Sequence, residues 1–245
     1  MASEVARTDL FLFESSYIAA LFRAEIGHPP GIVRVVHNGV GEAEFAPIVP
    51  RPDATDIICL GELRPVKAFD VLIEALAILK QQGRLVSATI AGEGPDAVKL
   101  KAQAEQLGIA NLVRLVGYRP AREAFAMGRM MVIPSRAESL PYVILEAAAA
   151  GVPIISTRVG GIPEIFGPQS DQLIAPDDIG ALIGAISSAL DNPAGLRPSP
   201  KCYRRGCRPS SRCPPWSMAG LPPIARRLRC ENSRNSHNQI FPFVY

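Results

Sequence analysis

Several residue types that mark common functional classes are scarce in this chain. Its 245 residues include three histidines and one tryptophan, and four of its five cysteines (Cys202, Cys207, Cys213 and Cys230) lie beyond residue 200. Cys59 is therefore the single thiol of the first 195 residues, in an apolar run. That usage excludes a disulfide scaffold for this part and fits a reducing compartment. No Cys-x-x-Cys occurs, and neither His28 nor His37 has a Cys or carboxylate at ligand spacing, so no metal site is expected. The Gly-x-Gly-x-x-Gly fingerprint, the P-loop and Gly-x-Ser-x-Gly are missing too; Gly92-Glu93-Gly94 runs directly into Pro95. The N-terminus has no basic region followed by an apolar stretch, so no secretory leader is expected. The most apolar window, Leu140 to Ile155, is short of a membrane span and is broken by Pro141, Glu146, Gly151 and Pro153. A cytoplasmic protein is expected, working in solution or at the inner face of the membrane.

A net charge of +3 conceals a division along the chain. Residues 1–195 carry 22 acidic and 16 basic side chains, whereas residues 196–245 carry 10 basic and one acidic. A mildly acidic body gives no reason to expect a nucleic-acid partner. The last 50 residues are rich in Arg and Pro and lack apolar periodicity. Such a segment buries too little surface to offset an ordering cost of about 1–2 kcal/mol per residue, so disorder is expected there.

From Asp56 to Leu190, short apolar runs alternate with segments of helical period, the pattern of βαβ units around a parallel sheet. The expected strands are Ile57–Leu60, Val86–Ile90, Leu112–Val116, Met130–Ile133 and Pro153–Ser156, with a weaker one near Gln172–Ala175. Helices are expected around Val71–Leu79 and over Asp96–Leu107, Ala121–Met127, Val143–Ala150 and Ile179–Leu190. This predicts an α/β fold, a doubly wound parallel sheet of Rossmann type. Residues 9–27 read as a strand and a helix, followed by a β-rich Ile32–Val36 and an Asn38-Gly39 turn. The expected organisation is a remnant of another domain over 1–41, a linker over 42–55, one domain over 56–195 and a basic tail over 196–245. In such a sheet, ligands bind where the strands end at the switch in strand order, so the strand-closing residues are the ones to inspect.

The richest of these runs from Pro134-Ser135-Arg136-Ala137-Glu138-Ser139-Leu140-Pro141-Tyr142 through Glu146 to Ala150-Gly151-Val152-Pro153. A loop leaves a strand and a helix begins near Pro141, where unpaired N–H groups favour phosphate or sugar oxygens. Glu146 falls one turn inside. Glutamate is ordinarily solvated, but Glu146 interrupts an otherwise apolar helix, and one carboxylate there can accept both hydroxyls of a ribose diol. A second cluster, Gly61-Glu62-Leu63-Arg64-Pro65-Val66-Lys67-Ala68, puts two cations at a helix start. Solvated Arg and Lys are the ordinary state, yet cations there oppose the helix dipole, and a bound diphosphate would compensate both. Gly92, Gly117 and Gly160-Gly161 close further strands; each alone reads as a tight turn.

In these motifs the chain resembles family 4 of the retaining glycosyltransferases, the group with two facing Rossmann-like domains (GT-B). A Glu, seven residues and a second Glu, set between Pro-Ser and Ala-x-Gly-x-Pro, form that family's donor-domain pattern, and the likeness extends over about Asp9–Pro193. The resemblance implies that Glu146 holds the nucleotide ribose and that Glu138 faces the donor sugar near the reacting centre. It implies that the backbone of Ser139, Leu140, Pro141 and Tyr142 meets sugar hydroxyls and the distal phosphate, and that Tyr118, after Gly117, lies beside the base. Lys67 and Arg64 would stabilise the departing diphosphate beside Gly61 and Gly92. The family usually has Gly after the lysine, where this chain has Ala68. The implied activity is retaining hexosyl transfer from a UDP- or GDP-activated sugar to a glycan or lipid-linked acceptor, as in polysaccharide or lipopolysaccharide biosynthesis. The nucleotide sugar is a substrate, and no metal or organic cofactor is called for. The acceptor would bind an N-terminal domain of which residues 1–41 carry only the end. Two other readings stay open: a truncated, non-catalytic nucleotide-binding or scaffolding remnant, and a nicotinamide-dependent oxidoreductase lacking its glycine fingerprint.

Overall fold

A βαβ unit opens the fold in a computed structural model that describes residues 8–192. The expected disorder of 196–245 lies outside the described residues. Strands β1 (Leu10–Phe13) and β2 (Ile32–Val35) pair in parallel, and helix α1 (Ser16–Glu25) connects them. Ser15 starts α1 by accepting from the Ile18 amide at 3.1 Å, a side-chain N-cap. Phe22 packs the helix onto β1, its ring centroid 5.3 Å from that of Phe13. Within the expected linker, Glu42–Phe45 forms a 3-10 turn and Thr55 already belongs to the next strand.

The following segments alternate as the hydrophobic pattern requires: β3 (Thr55–Leu60), α2 (Phe69–Gln81), β4 (Ala88–Ala91), α3 (Ala97–Gln106), β5 (Val113–Leu115), α4 (Ala121–Phe125), β6 (Gly128–Ile133), α5 (Tyr142–Ala149), β7 (Ile154–Ser156), α6 (Ile162–Phe166) and α7 (Ile179–Asp191). All five strands are parallel, in the order β5-β4-β3-β6-β7. The order reverses between β3 and β6, which makes their carboxyl ends the switch point.

Period-two alternation explains how one sheet fills two cores. Ile57, Cys59, Met130 and Val132 face α2, α3 and α7, while Ile58, Met131 and Ile133 face α4, α5 and α6. Cys59 is fully buried, and burial pushes its thiol far above the usual range, so it is an inert core side chain. No helix among the described residues is long and apolar enough to cross a membrane.

Strands β3 and β6 each begin two residues before the expected bounds, and three further elements depart from the sequence pattern. The expected strand near Gln172–Ala175 is a single bridge, Thr157 to Ile174, because a 3-10 turn over Gly167–Gln172 takes up its approach and Pro176 follows. Helix α6 was hidden by its five-residue length and by Pro163 in its first turn. Strand β4 begins two residues late because Ser87 is engaged by Asp56, whose Oδ2 accepts from the Ser87 amide at 2.8 Å and hydroxyl at 2.7 Å.

Candidate functional site

The carboxyl ends of β3, β4 and β5 are joined in a row by their glycines. The Gly61 amide donates to Ala91 O at 3.1 Å, and the Gly92 amide donates to Gly117 O at 2.9 Å. A Cβ on Gly92 would lie 1.8 Å from Gly61 O, so these loops approach only because Gly92 has no side chain. After Gly61 the chain enters a 3-10 turn over Pro65–Lys67, and Ala68 then starts α2 in a left-handed conformation, with φ 53° and ψ 35°. An L-residue is strained there, at the position where the sequence departs from the family's glycine. Ala68 is also fully buried. Ala68→Gly is therefore expected to change stability by less than about 1 kcal/mol, strain relief being offset by lost methyl burial and added chain entropy. Ala68→Val, β-branched at positive φ, is expected to cost about 2 kcal/mol. Urea denaturation of both variants measures the difference.

Across the switch point, the loop after β6 carries Glu138. Its Oε1 accepts from Lys67 Nζ at 2.7 Å and from Ser135 Oγ at 2.7 Å. The Glu138 side chain is 10% exposed and that of Lys67 25%. The two residues expected to act on opposite ends of a donor thus meet each other. Ser135 is itself buried, and its carbonyl accepts from Thr157 Oγ1 at 2.6 Å. Arg136 fastens this loop to the first one. Its amide donates to Val66 O at 2.8 Å, and its guanidinium binds Asp70 through two contacts of 3.1 and 3.0 Å, Asp177 at 2.8 Å, and the Pro65 carbonyl. Partial burial would raise the Asp70 carboxyl, but the Arg136 guanidinium outweighs it and holds it below the usual value. Sequence reasoning assigned no role to Arg136, Asp70 or Asp177, since its partners lie 66 and 41 residues away.

Gly160, at φ +56°, lies against the Glu138 carbonyl, and the Gly161 amide donates to Ser139 O at 2.7 Å. Leu140 is buried, Pro141 occupies the N-cap of α5 without offering a capping oxygen, and Tyr142 is exposed as the helix's first residue. Tyr118 is 68% exposed beside Gly117, with its amide 3.5 Å from a Glu93 carboxyl oxygen. Arg64 does not join the Lys67–Glu138 pair; it bonds Glu62 at 2.6 Å, both being more than half exposed. Such a surface pair contributes little and leaves Arg64 available to a ligand.

Glu146 sits half-buried in α5, and among the described residues its carboxylate has no hydrogen-bond or ion-pair partner. Burial, and then the nearby Glu44 carboxylate, raise its carboxyl above the ordinary glutamate value. A raised folded-state value penalises the charged form, so the penalty applies at neutral pH and disappears below the unfolded value of about 4.3. Glu146→Gln is expected to stabilise the protein slightly at pH 7, by under about 1 kcal/mol after solvent screening. Below pH 4 the gain is absent; thermal melts across this range check the sign.

His37 has a distant carboxylate that spacing could not reveal. Its Nε2 lies 2.8 Å from Glu164 Oε2, and Glu164 also accepts from the Ser16 and Tyr17 amides at 2.9 and 2.8 Å. Partial burial pushes the Glu164 carboxyl up, but His37 and those amides prevail and lower it. No cluster of three or more His, Cys, Asp or Glu that could hold a metal occurs among the described residues.

Known proteins share both the sequence pattern and the fold. The chain is 32% identical over 184 residues to glycogen synthase of Mycobacterium tuberculosis, covering 72% of this chain and 44% of that protein. It is 30% identical over 209 residues to a GDP-mannose-dependent alpha-(1-6)-phosphatidylinositol monomannoside mannosyltransferase of Mycolicibacterium smegmatis, covering 76% and 54%. The chain thus spans about half the length of the curated relatives it matches. Among solved structures, Anabaena Alr3699/HepE in complex with UDP and glucose superposes with a TM-score of 0.66 at 22% identity, over 78% of this chain and 56% of that one. Sucrose-phosphate synthase from Thermosynechococcus elongatus does so with a TM-score of 0.68 at 23% identity, over 81% and 54%. Both likenesses are of fold, to proteins of the GT-B architecture. The family model described as glycosyl transferases group 1 matches residues 41–205, a span that includes all five strands of the main sheet. With the fold, the relatives and that match in agreement, the chain belongs to the group 1 glycosyl transferases.

Proposed function

We propose that residues 56–195 are the donor-binding domain of a retaining glycosyltransferase of family 4, taking a nucleoside diphosphate sugar. In this division residues 42–55 are the linker, and residues 1–41 are the last part of an acceptor-binding domain. The observation that carries the reading is the Lys67–Glu138 pair, 2.7 Å across the switch point, with the unpartnered Glu146 one turn into the adjoining helix. A nucleoside diphosphate fits that set: a ribose diol supplies two donors to Glu146, and the diphosphate supplies a stronger anion for Lys67 and Arg64, which otherwise pair with Glu138 and Glu62. The α5 start, without a side-chain cap, and the backbone of Ser139 to Tyr142 offer N–H groups to phosphate and sugar oxygens. Gly61, Gly92 and Gly117 keep the floor free of side chains, and Tyr118 offers a ring to the base.

The chemistry then rests on electrostatics. As the bond from the anomeric carbon to the diphosphate oxygen breaks, negative charge grows on the leaving group, and Lys67 and Arg64 stabilise it. Positive charge grows on the sugar, next to the Glu138 carboxylate. Binding of the diphosphate draws Lys67 partly away from Glu138 and so exposes that carboxylate to the sugar. The acceptor is a glycan or a lipid-linked glycan, bound with the help of an N-terminal domain, and the site of action is the cytoplasm or the inner face of the membrane.

Titration calorimetry of the full chain with UDP and GDP tests this. Binding of one of them in the micromolar to millimolar range is expected, weakened about tenfold or more by Glu146→Ala. If neither nucleotide binds at millimolar concentration, the site assignment is wrong. Binding without transfer to any acceptor would favour the alternative of a nucleotide-binding remnant.

A further inference from the structure

Two backbone carbonyls lead into α5, and each is held from outside its own loop. Ser139 O accepts from the Gly161 amide at 2.7 Å, and Leu140 O accepts from Asn38 Nδ2 at 3.1 Å. Asn38 follows β2, next to His37, and His37 bonds Glu164 at 2.8 Å. Glu164 lies three residues beyond Gly161 and reaches across to the opening amides of α1, at Ser16 and Tyr17. A carboxylate at a helix N-terminus neutralises open N–H donors and the positive end of the dipole. The buried Ser15, which caps α1, sits so close that a Cβ on Gly161 would lie 3.1 Å from its own Cβ. One set of polar contacts thus joins the first βαβ unit, the Gly160-Gly161 turn and the loop leading into α5.

We propose that Glu164, His37 and Asn38 form a latch between the N-terminal βαβ unit and the sheet domain, and that this latch sets the position of the Ser139–Tyr142 loop. They are positioning residues: none belongs to the nucleotide-sugar site itself, and each acts through the carbonyls or amides it holds. The consequence for donor binding rests on the function proposed above; the consequence for the loop does not. Residues 8–38 are then a working part of the donor half, because the loop that meets sugar and phosphate is partly held from there.

Amide hydrogen exchange on the full chain, without ligand, reads the latch directly. Asn38→Ala is expected to speed exchange about fivefold, the loss of one hydrogen bond, at Gly161 and Ile144, whose amides donate to Ser139 O and Pro141 O. Glu164→Ala is expected to speed it there and at residues 16–27. Glu164→Gln, which keeps an acceptor oxygen but loses the charge, is expected to fall between parent and Glu164→Ala, while β3 and β4 amides exchange at the parent rate. A merely structural role would instead accelerate β3 and β4 as well. Calorimetry with UDP and GDP is expected to show affinity falling in the same order, about fivefold for Asn38→Ala. Parent-rate exchange at Gly161 and Ile144 in both Asn38→Ala and Glu164→Ala would overturn the latch. If the parent binds neither nucleotide, the donor-site reading falls while the exchange data still decide the latch. Asn38→Ala removes a single contact, so it keeps the test decisive if a Glu164 variant fails to fold.

Discussion

A Gly160→Ala variant is expected to lose about 3 kcal/mol or more of stability and the alignment of Glu138 with it. The added Cβ would lie 1.5 Å from the Glu138 carbonyl oxygen and 2.6 Å from its carbonyl carbon, at a backbone φ of +56°. Neither atom is the far end of a flexible side chain, so the loop after β6 must shift as a unit. That loop is held at Ser135 by Thr157, at Arg136 by Asp70 and Asp177, and at Ser139 by Gly161. Displacement at Glu138 therefore strains several contacts at once. Gly108→Ala is the matched control: φ is +68° and the added methyl meets nothing within 4 Å, so only the positive-φ penalty of about 1–2 kcal/mol applies. Chemical denaturation of the pair separates steric exclusion from backbone strain. Equal losses in the two variants would mean that the turn does not brace Glu138.

Lys67→Ala is expected to cost about 2 kcal/mol, because it leaves the largely buried Glu138 carboxylate without its cation while partial exposure of the lysine tempers the loss. Glu138 keeps the Ser135 hydroxyl but no cation among the described residues, and its side chain is only 10% exposed. The double variant Lys67→Ala/Glu138→Ala is expected to be about 2 kcal/mol more stable than the sum of the single losses, because it removes the orphaned charge. Additive losses would show that the two side chains contribute independently. On the proposed function, the lysine variant also loses nucleotide affinity, about tenfold or more, since the diphosphate forfeits a charged hydrogen bond.

The fold was legible because its signals are local. Short apolar runs closed by Gly61 and Gly92 mark β3 and β4, and Val71, Leu72, Ala75, Leu76 and Leu79 put one face of α2 into the core. Each of those facts needs a window of about a dozen residues. The strand ends could be picked out for the same reason, and so could Glu138, Glu146 and Lys67 as residues to inspect. What joins them could not. Arg136 reads as a solvated cation until Asp70 and Asp177 arrive from other loops, and Glu164 reads as the last residue of a glycine loop until α1 is brought against it. The direct bond between Lys67 and Glu138 spans 71 positions. His37 has no partner at metal-ligand spacing because its carboxylate lies 127 positions away. Ala68 is the converse case, a single substitution of the family's glycine whose strained backbone could be foreseen from one residue.

The strand order has a further consequence for how the chain assembles as it is made. Because every pairing in the main sheet is parallel, each needs a crossover, and the central pair joins Thr55 to Gly128. A growing chain can dock β4 and then β5 onto one side of β3 as soon as they emerge, yet the other side of β3 has no neighbour until residue 128 and beyond have been synthesised. Long-range parallel pairing is slow, and an unpaired central strand is open to the wrong partner in the meantime. The crevice between β3 and β6 is therefore among the last features to close during synthesis, so a ribosome stalled before residue 128 would hold a half-sheet with no binding site and an exposed, sticky edge.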